Sequence, residues 1–194
     1  MHKEILGYIT LTMSIIGYIP YLRDTWSGKT TPHALSWLTW SVLGFIGFGL
    51  QYTHGAGPAS WPTILNAFIS LSIFLLALKK SGLTIKLSDY FFIGLSIISA
   101  VLWIVADSPV WATFFQVSAG VIAIFPTFIK LWDKPESETK ITWILNSIRH
   151  FITSISATNY TFITVANPIT WGVVNFSMVA FAYVRGIYLN RNKA

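Results

Sequence analysis

The stretch GYIPYLRDTWSGKTTPHALSW, residues 17–37, decides how this chain is read. It leaves an apolar run at Pro20, crosses a short basic loop from Arg23 to Lys29, and enters a second apolar run at Ala34. Its landmarks return 106 residues later: Pro20 falls on Pro126, Trp26 on Trp132, Trp37 on Trp143 and Ser41 on Ser147. A shift of 110 brings Pro58, Ser60 and Trp61 onto Pro168, Thr170 and Trp171, with Asn66 and Asn175 five and four residues beyond their tryptophans. Such self-similarity marks two three-helix units, 5–80 and 109–188, joined by one additional helix. Chance matching of Trp and Pro is the alternative, and the shared offset argues against it because it also preserves span number and loop position.

Composition places these units in a membrane. Of 194 residues, 54% are apolar and only 10% charged, with a mean hydropathy of +0.61, whereas a soluble domain carries about a quarter charged residues. A bilayer core takes roughly 20 apolar residues per helix. Apolar runs broken by Gly, Pro and charge place helices near 5–22, 35–53, 60–78, 89–106, 109–132, 141–158 and 168–188. The reading is an all-α integral membrane protein with seven transmembrane helices in a 3+1+3 arrangement of two parallel three-helix repeats. Its parts are 1–83 for the first repeat, 84–107 for the linker helix, and 108–194 for the second repeat and a short tail. The first apolar segment, Ile5 to Tyr21, is followed by no small-residue cleavage pattern and is read as a retained span.

Charge sets the orientation. Arg23, Lys29, Lys79, Lys80, Lys86, Lys130, Lys134, Lys140, Arg185, Arg191 and Lys193 fall on the side of the odd-numbered loops, and Lys3 alone on the other. Cytoplasmic loops collect positive charge, so the N-terminus is expected outside and the C-terminus in the cytoplasm, in a plasma or inner membrane. A three-helix unit that begins outside ends inside, so one extra crossing lets the second unit begin outside as well. The net charge of +6 therefore follows topology, and no nucleic-acid partner is expected. There are no cysteines, which excludes disulfides, thiolate metal sites and a cysteine nucleophile. No lysine lies in the seventh span, so a retinal Schiff base has no anchor, and no cofactor or metal is expected.

With Pro20 near the inner end of the first span and a short basic loop behind it, the segment at 17–37 resembles the PQ-loop superfamily, which includes the SWEET-like (MtN3) transporters and cystinosin. The resemblance covers nearly the whole chain and implies the same 3+1+3 layout. The Gln that names the motif is Tyr21 in one repeat and Thr127 in the other, and the prolines that SWEETs carry in the second and sixth spans are absent here. The family implies a solute transporter working by alternating access, with Pro20 and Pro126 as paired hinges; two static kinks are the alternative. It also implies that Asn66 and Asn175, which match by repeat location a pair of asparagines in SWEETs, contact the substrate.

Residue spacing points to the same region. Trp37, Trp40, Ser41, Gly44 and Gln51 share one helical face, and so do Trp143, Asn146, Ser147, His150 and Ser154. Polar side chains inside a membrane face the bundle interior or a wet cavity, so the two stripes are expected to face each other; helix-to-helix hydrogen bonding is the other reading, above all for Ser41 and Ser147. Asn66 and Asn175 are expected at similar depth on symmetry-related helices, where an amide suits a neutral polar solute, with inter-helix bonding again the alternative. Gln116, aligned with Thr10, adds a polar wall. Arg149 stands mid-span, where a guanidinium costs about 2.5–3.5 kcal/mol, and all seven acids fall near span ends. It is read either as meeting an anionic group on the solute, with His150 and Asn146 beside it, or as snorkelling or bonding carbonyls.

The candidate binding set is thus Asn66, Asn175, Ser41, Ser147, Asn146, Trp40, Arg149, His150 and Gln116, and no catalytic residue is expected. The function that the resemblance implies is movement of a small polar solute, sugar-like or another small metabolite; proton-coupled relatives of the cystinosin type rely on an intramembrane Asp, which this chain lacks, so facilitated diffusion is expected. Proton coupling through His150, transport of a small anionic metabolite through Arg149, a non-transporting receptor or scaffold, and an intramembrane enzyme built on Ser147 and His150 remain as rivals. The partners expected are the lipid bilayer and the solute, with a homo-oligomer left open.

Overall fold

The computed structural model describes residues 2–81, 87–105 and 108–191, all of whose regular structure is helical. The expected boundaries at 83/84 and 107/108, and Lys86, Asp107 and Lys193, lie outside the described residues. The helices are α1 (His2–Trp26), α2 (Ala34–Thr53), a single 3-10 turn (Gly57–Ser60) leading into α3 (Trp61–Ser81), α4 (Leu87–Val105), α5 (Pro109–Ile122), α6 (Phe125–Asp133), α7 (Lys140–Ile155) and α8 (Phe162–Arg191). Among the described residues, five stretches are long and apolar enough to cross a bilayer: His2–Trp26, Ala34–Thr53, Gly57–Lys80, Pro109–Asp133 and Phe162–Arg191. Helix α7, with 16 residues, reaches about 24 Å at 1.5 Å per residue.

Helix α3 packs against both α1 and α2, and α8 against both α5 and α7. Across these groups α1 packs on α7 and α2 on α5, while α4 lies against α5 and α6. Large apolar side chains on the outer faces, such as Ile15, Ile16 and Ile19 on α1 and Phe176 and Val184 on α8, are exposed, as expected where lipid rather than protein covers them. The core joins apolar residues such as Tyr21, Ile73, Ile124, Leu131 and Met178 to polar ones: Thr10, Ser14, Ser41, Gln51, Gln116, Asn146, Ser147, Arg149 and Asn175 are all buried.

The two prolines act differently. Helix α1 runs unbroken through Pro20, whereas the matching stretch breaks at 123–124, just before Pro126 at the start of α6. At the break the amide of Ile124 turns to the carbonyl of Val121 and that of Thr127 to the carbonyl of Ile124. These three-residue bonds release the carbonyls of Gly120 and Ala123, their partners in a regular helix. Helix α2 supplies replacements: Trp40 Nε1 donates to the Gly120 carbonyl at 3.0 Å and Ser36 Oγ to the Ala123 carbonyl at 2.5 Å. A third bond, Gln116 Nε2 to the Leu43 carbonyl at 2.9 Å, holds the same pair of helices. The positions on α7 that match Ser36 and Trp40 are Thr142 and Asn146; both are buried, and Thr142 Oγ1 and Asn146 Nδ2 have no hydrogen-bond partner.

The last helix starts at Phe162, six residues before the Pro168 at which its start was expected. Thr164 holds the first turn, accepting from the amide of Thr161 at 3.0 Å and donating to the Asn159 carbonyl at 2.6 Å. Pro168 lies inside the helix, where it has no amide to donate to the Thr164 carbonyl.

Candidate functional site

A cavity of about 630 Å³, counting its open mouth, lies between the helices. Tyr18 of α1, Trp37, Trp40, Leu43 and Gly44 of α2, and Thr63, Asn66, Ala67 and Ser70 of α3 line one side. Gln116 and Gly120 of α5, Trp143 and His150 of α7, and Asn167, Trp171 and Asn175 of α8 line the other. None of these sixteen residues is Asp, Glu, Lys or Arg.

One part of the wall is aromatic. Trp37 and Trp40 lie 4.9 Å apart, centre to centre, Trp37 and Trp143 6.1 Å, and Trp40 and Trp171 5.6 Å. Tyr21 is fully buried and touches Trp37 and Trp143, with ring centres 5.0 and 6.1 Å away. Most of these pairs meet edge-on or tilted, the arrangement that ring quadrupoles favour. The opposite character comes from buried polar atoms without a hydrogen-bond partner: Oδ1 of Asn66, Asn167 and Asn175, and Nδ1 of His150. The Asn175 amide is oriented by its own helix, since Nδ2 donates to the Trp171 carbonyl at 2.5 Å and only the oxygen is then left to accept.

Of the residues singled out by spacing and resemblance, Asn66, Asn175, Trp40, Gln116 and His150 line the cavity. Ser41, Ser147, Asn146 and Arg149 do not. Ser41 Oγ donates to the Ala67 carbonyl at 3.0 Å and Ser147 Oγ to the Gly172 carbonyl at 2.9 Å, so the first ties α2 to α3 and the second ties α7 to α8. The two stripes therefore meet through their tryptophans, while their serines turn to α3 and α8. Asn146 and Arg149 lie behind the wall: Arg149 is fully buried, and its Nε donates to Asn146 Oδ1 at 3.2 Å. The guanidinium touches His150, where Nη2 and Nε2 are 2.7 Å apart. Ser147 and His150 are thus each bonded to partners other than one another.

The serine bonds also set the register of the third helices. Asn66 precedes the carbonyl residue Ala67 by one position, and Asn175 follows its counterpart Gly172 by three. Measured from the carbonyl that its serine reaches, Asn175 thus lies four residues, about 6 Å, further along its helix than Asn66 does along its own. Ser70 is the residue on α3 that matches Asn175 by this criterion, and it lines the cavity too.

Thr63, Ser70, Asn167, Trp171 and Tyr18 were not singled out from the sequence. Thr63 and Ser70 lie three before and four after Asn66, so helical spacing was the available signal. Asn167 falls one residue outside the span that the sequence places at 168–188, whereas the helix begins at Phe162.

Both ends of the cavity are bridged between the two groups of helices. At the basic end Thr139 Oγ1 donates to Asp24 Oδ2 at 3.1 Å and lies 2.6 Å from Thr30 Oγ1. There Lys130 donates to the Thr31 carbonyl at 2.6 Å and pairs with Glu138, which also accepts from Trp143 Nε1 at 3.3 Å. At the opposite end the amides of Thr158 and Asn159 donate to the carbonyls of Ala56 and Gly55 at 3.1 and 3.3 Å. Lys3, the one cation counted on that side, donates to the Ala157 carbonyl at 2.5 Å. Gly57 has φ +58°, and a Cβ there would sit 2.3 Å from Thr158 Oγ1, so the loops meet where no side chain fits.

Comparison with known proteins adds no assignment. No family model, curated protein or solved structure matches the chain. The cavity itself carries the functional argument: aromatic faces and carboxamides in a chamber without charged lining residues suit a small polar solute with an apolar face.

Proposed function

We propose that the chain is a seven-span membrane transporter of the 3+1+3 type, a divergent relative of the PQ-loop and SWEET-like proteins, that carries a small polar solute by alternating access. In this reading α4 and α7 are spans alongside the five long apolar stretches, α5 and α6 together form one span, and α4 is the linker between parallel repeats. The basic loops lie in the cytoplasm, the N-terminus outside, and the membrane is a plasma or inner membrane. The observation that carries the proposal is the cavity between the two groups of helices, lined from both and bridged at each end by bonds between them. Opening either set of bridges while the other holds exposes the cavity to one side at a time. The corresponding pairings, α1 on α7 and α2 on α5, support two related halves that rock against each other. A lining without a carboxylate supports facilitated diffusion of a neutral, sugar-like or comparable solute.

The test is uptake of radiolabelled sugars, amino acids, vitamins and small anions into liposomes containing the purified protein. Saturable flux of at least one class that follows its gradient, and is indifferent to a pH gradient, is expected. No flux across the whole panel rejects the proposal in favour of a receptor or scaffold.

A further inference from the structure

We propose that Arg149 is a positioning residue: it holds the His150 imidazole so that Nδ1–H points its proton at the cavity, where a carbonyl or carboxylate oxygen of the solute accepts it. This rests on the cavity being the solute site. A guanidinium has only donors, so in the 2.7 Å contact between Arg149 Nη2 and His150 Nε2 the imidazole nitrogen is the acceptor. The proton of the ring is then on Nδ1, a buried atom of a lining residue that has no hydrogen-bond partner. The guanidinium is itself held by Asn146 Oδ1, so the row Asn146, Arg149, His150 along α7 works as one unit with its donor at the cavity end.

Two further observations favour an oxygen acceptor. The bonds that hold Arg149 go to neutral groups, while the ion pairs at the basic end are made by Arg23, Lys130 and Lys140. Its charge therefore lies behind His150 and favours electron density on the far side of the ring. The matching positions on α2, a shift of 106 residues away, are Trp40, Leu43 and Gly44, none of which supplies an oriented donor to the cavity, since Trp40 Nε1 is taken by the Gly120 carbonyl. The solute is then held asymmetrically, its acceptor toward α7 and its donors toward the carboxamide oxygens of Asn66, Asn167 and Asn175.

The test is 15N NMR of the histidine rings in nanodiscs, with the His150 signals identified by their loss in His150→Gln. A single neutral form protonated at Nδ1 is expected in the wild type. Arg149→Leu, which copies the residue at the α2 position, is expected to give a mixture of ring forms, and Arg149→Lys to restore the single form because its ammonium still donates. Protonation at Nε2 in the wild type overturns the assignment even if the variants fail to fold, and so does an unchanged ring in Arg149→Leu. Benzoate and benzamide, flat enough to lie against the indoles, then probe the acceptor: each is expected to move the wild-type Nδ1 signal and to bind at least tenfold more weakly to Arg149→Leu. The larger movement with benzoate identifies a carboxylate and with benzamide a neutral carbonyl. No movement with either overturns the acceptor. The state of the ring is read without any solute crossing the bilayer, so absent flux in liposomes defeats the transport reading and leaves this result standing.

Discussion

Ser36 donates from Oγ to the carbonyl of Ala123 at 2.5 Å, taking the place of the Thr127 amide that the break before Pro126 turns away. The same role on α7 falls to Thr142, whose buried hydroxyl has no partner. Ser36 thus staples α2 to the break in the facing helix, whereas Thr142 makes no such bond, and α7 is tied to α1 at its ends, by Thr139 on Asp24 and by Lys3 on the Ala157 carbonyl.

Ser36→Ala is expected to lower stability by about 1 kcal/mol, the net worth of a hydrogen bond, with an added cost for the carbonyl left bare. Thr142→Ala removes a buried hydroxyl that makes no bond, so it is expected to cost less than Ser36→Ala. Thermal unfolding in detergent compares them directly, and equal losses would mean that the two hydroxyls are equivalent after all.

The closed loops at the non-basic end depend on the absence of a side chain at Gly57. Gly57→Ala is expected to lose both the positive φ, at about 1–3 kcal/mol, and the close approach of Thr158. Gly28→Ala provides the control, for Gly28 has φ +79° with nothing within 4 Å of a Cβ, so it carries the backbone term alone. The difference between their melting temperatures measures the loop contact; no difference would show that the loops part easily.

At the basic end Glu138 holds Lys130 and Trp143 together. Glu138→Gln keeps the size and removes the charge, leaving Lys130 with an unbalanced bond network, which for buried partners costs a few kcal/mol. Because the chain has no cysteine, Ser70→Cys gives a single label site in the cavity wall. An impermeant maleimide applied from the basic side is expected to react at least several-fold faster when Glu138→Gln is added. Unchanged labelling would separate this network from closure of the cavity.

Asn175→Ala is expected to reduce solute binding or flux at least tenfold with little loss of stability, since it removes an unpartnered amide oxygen from a residue of the cavity wall and one bond within its own helix. Ser41→Ala and Ser147→Ala are expected to do the reverse, costing about 1 kcal/mol each and leaving flux within about twofold. Flux and melting curves on the same preparations check both, and a serine variant that abolishes flux while melting normally would reverse the assignment of roles.

What the sequence by itself determined is the solvent and the helical class. A chain with 10% charge has to hide its apolar runs in lipid, and runs of that length are helical there. Polarity within a span likewise shows that Asn66, Gln116, His150 and Asn175 face inward, because lipid satisfies no amide or imidazole. Which inward residues meet a cavity and which meet a neighbouring helix was decided only by tertiary structure. Ser41 lies one residue from Trp40 on the same stripe, yet one reaches the Ala67 carbonyl and the other the cavity wall. Arg149 and His150 are adjacent, yet the longer side chain folds behind the shorter. Helical spacing gives a direction around one rod, whereas a hydrogen bond depends on the axial register of two rods packed together. That register is set by side-chain packing and freed carbonyls, as at Gly120 and Ala123, which no pattern along a single helix contains.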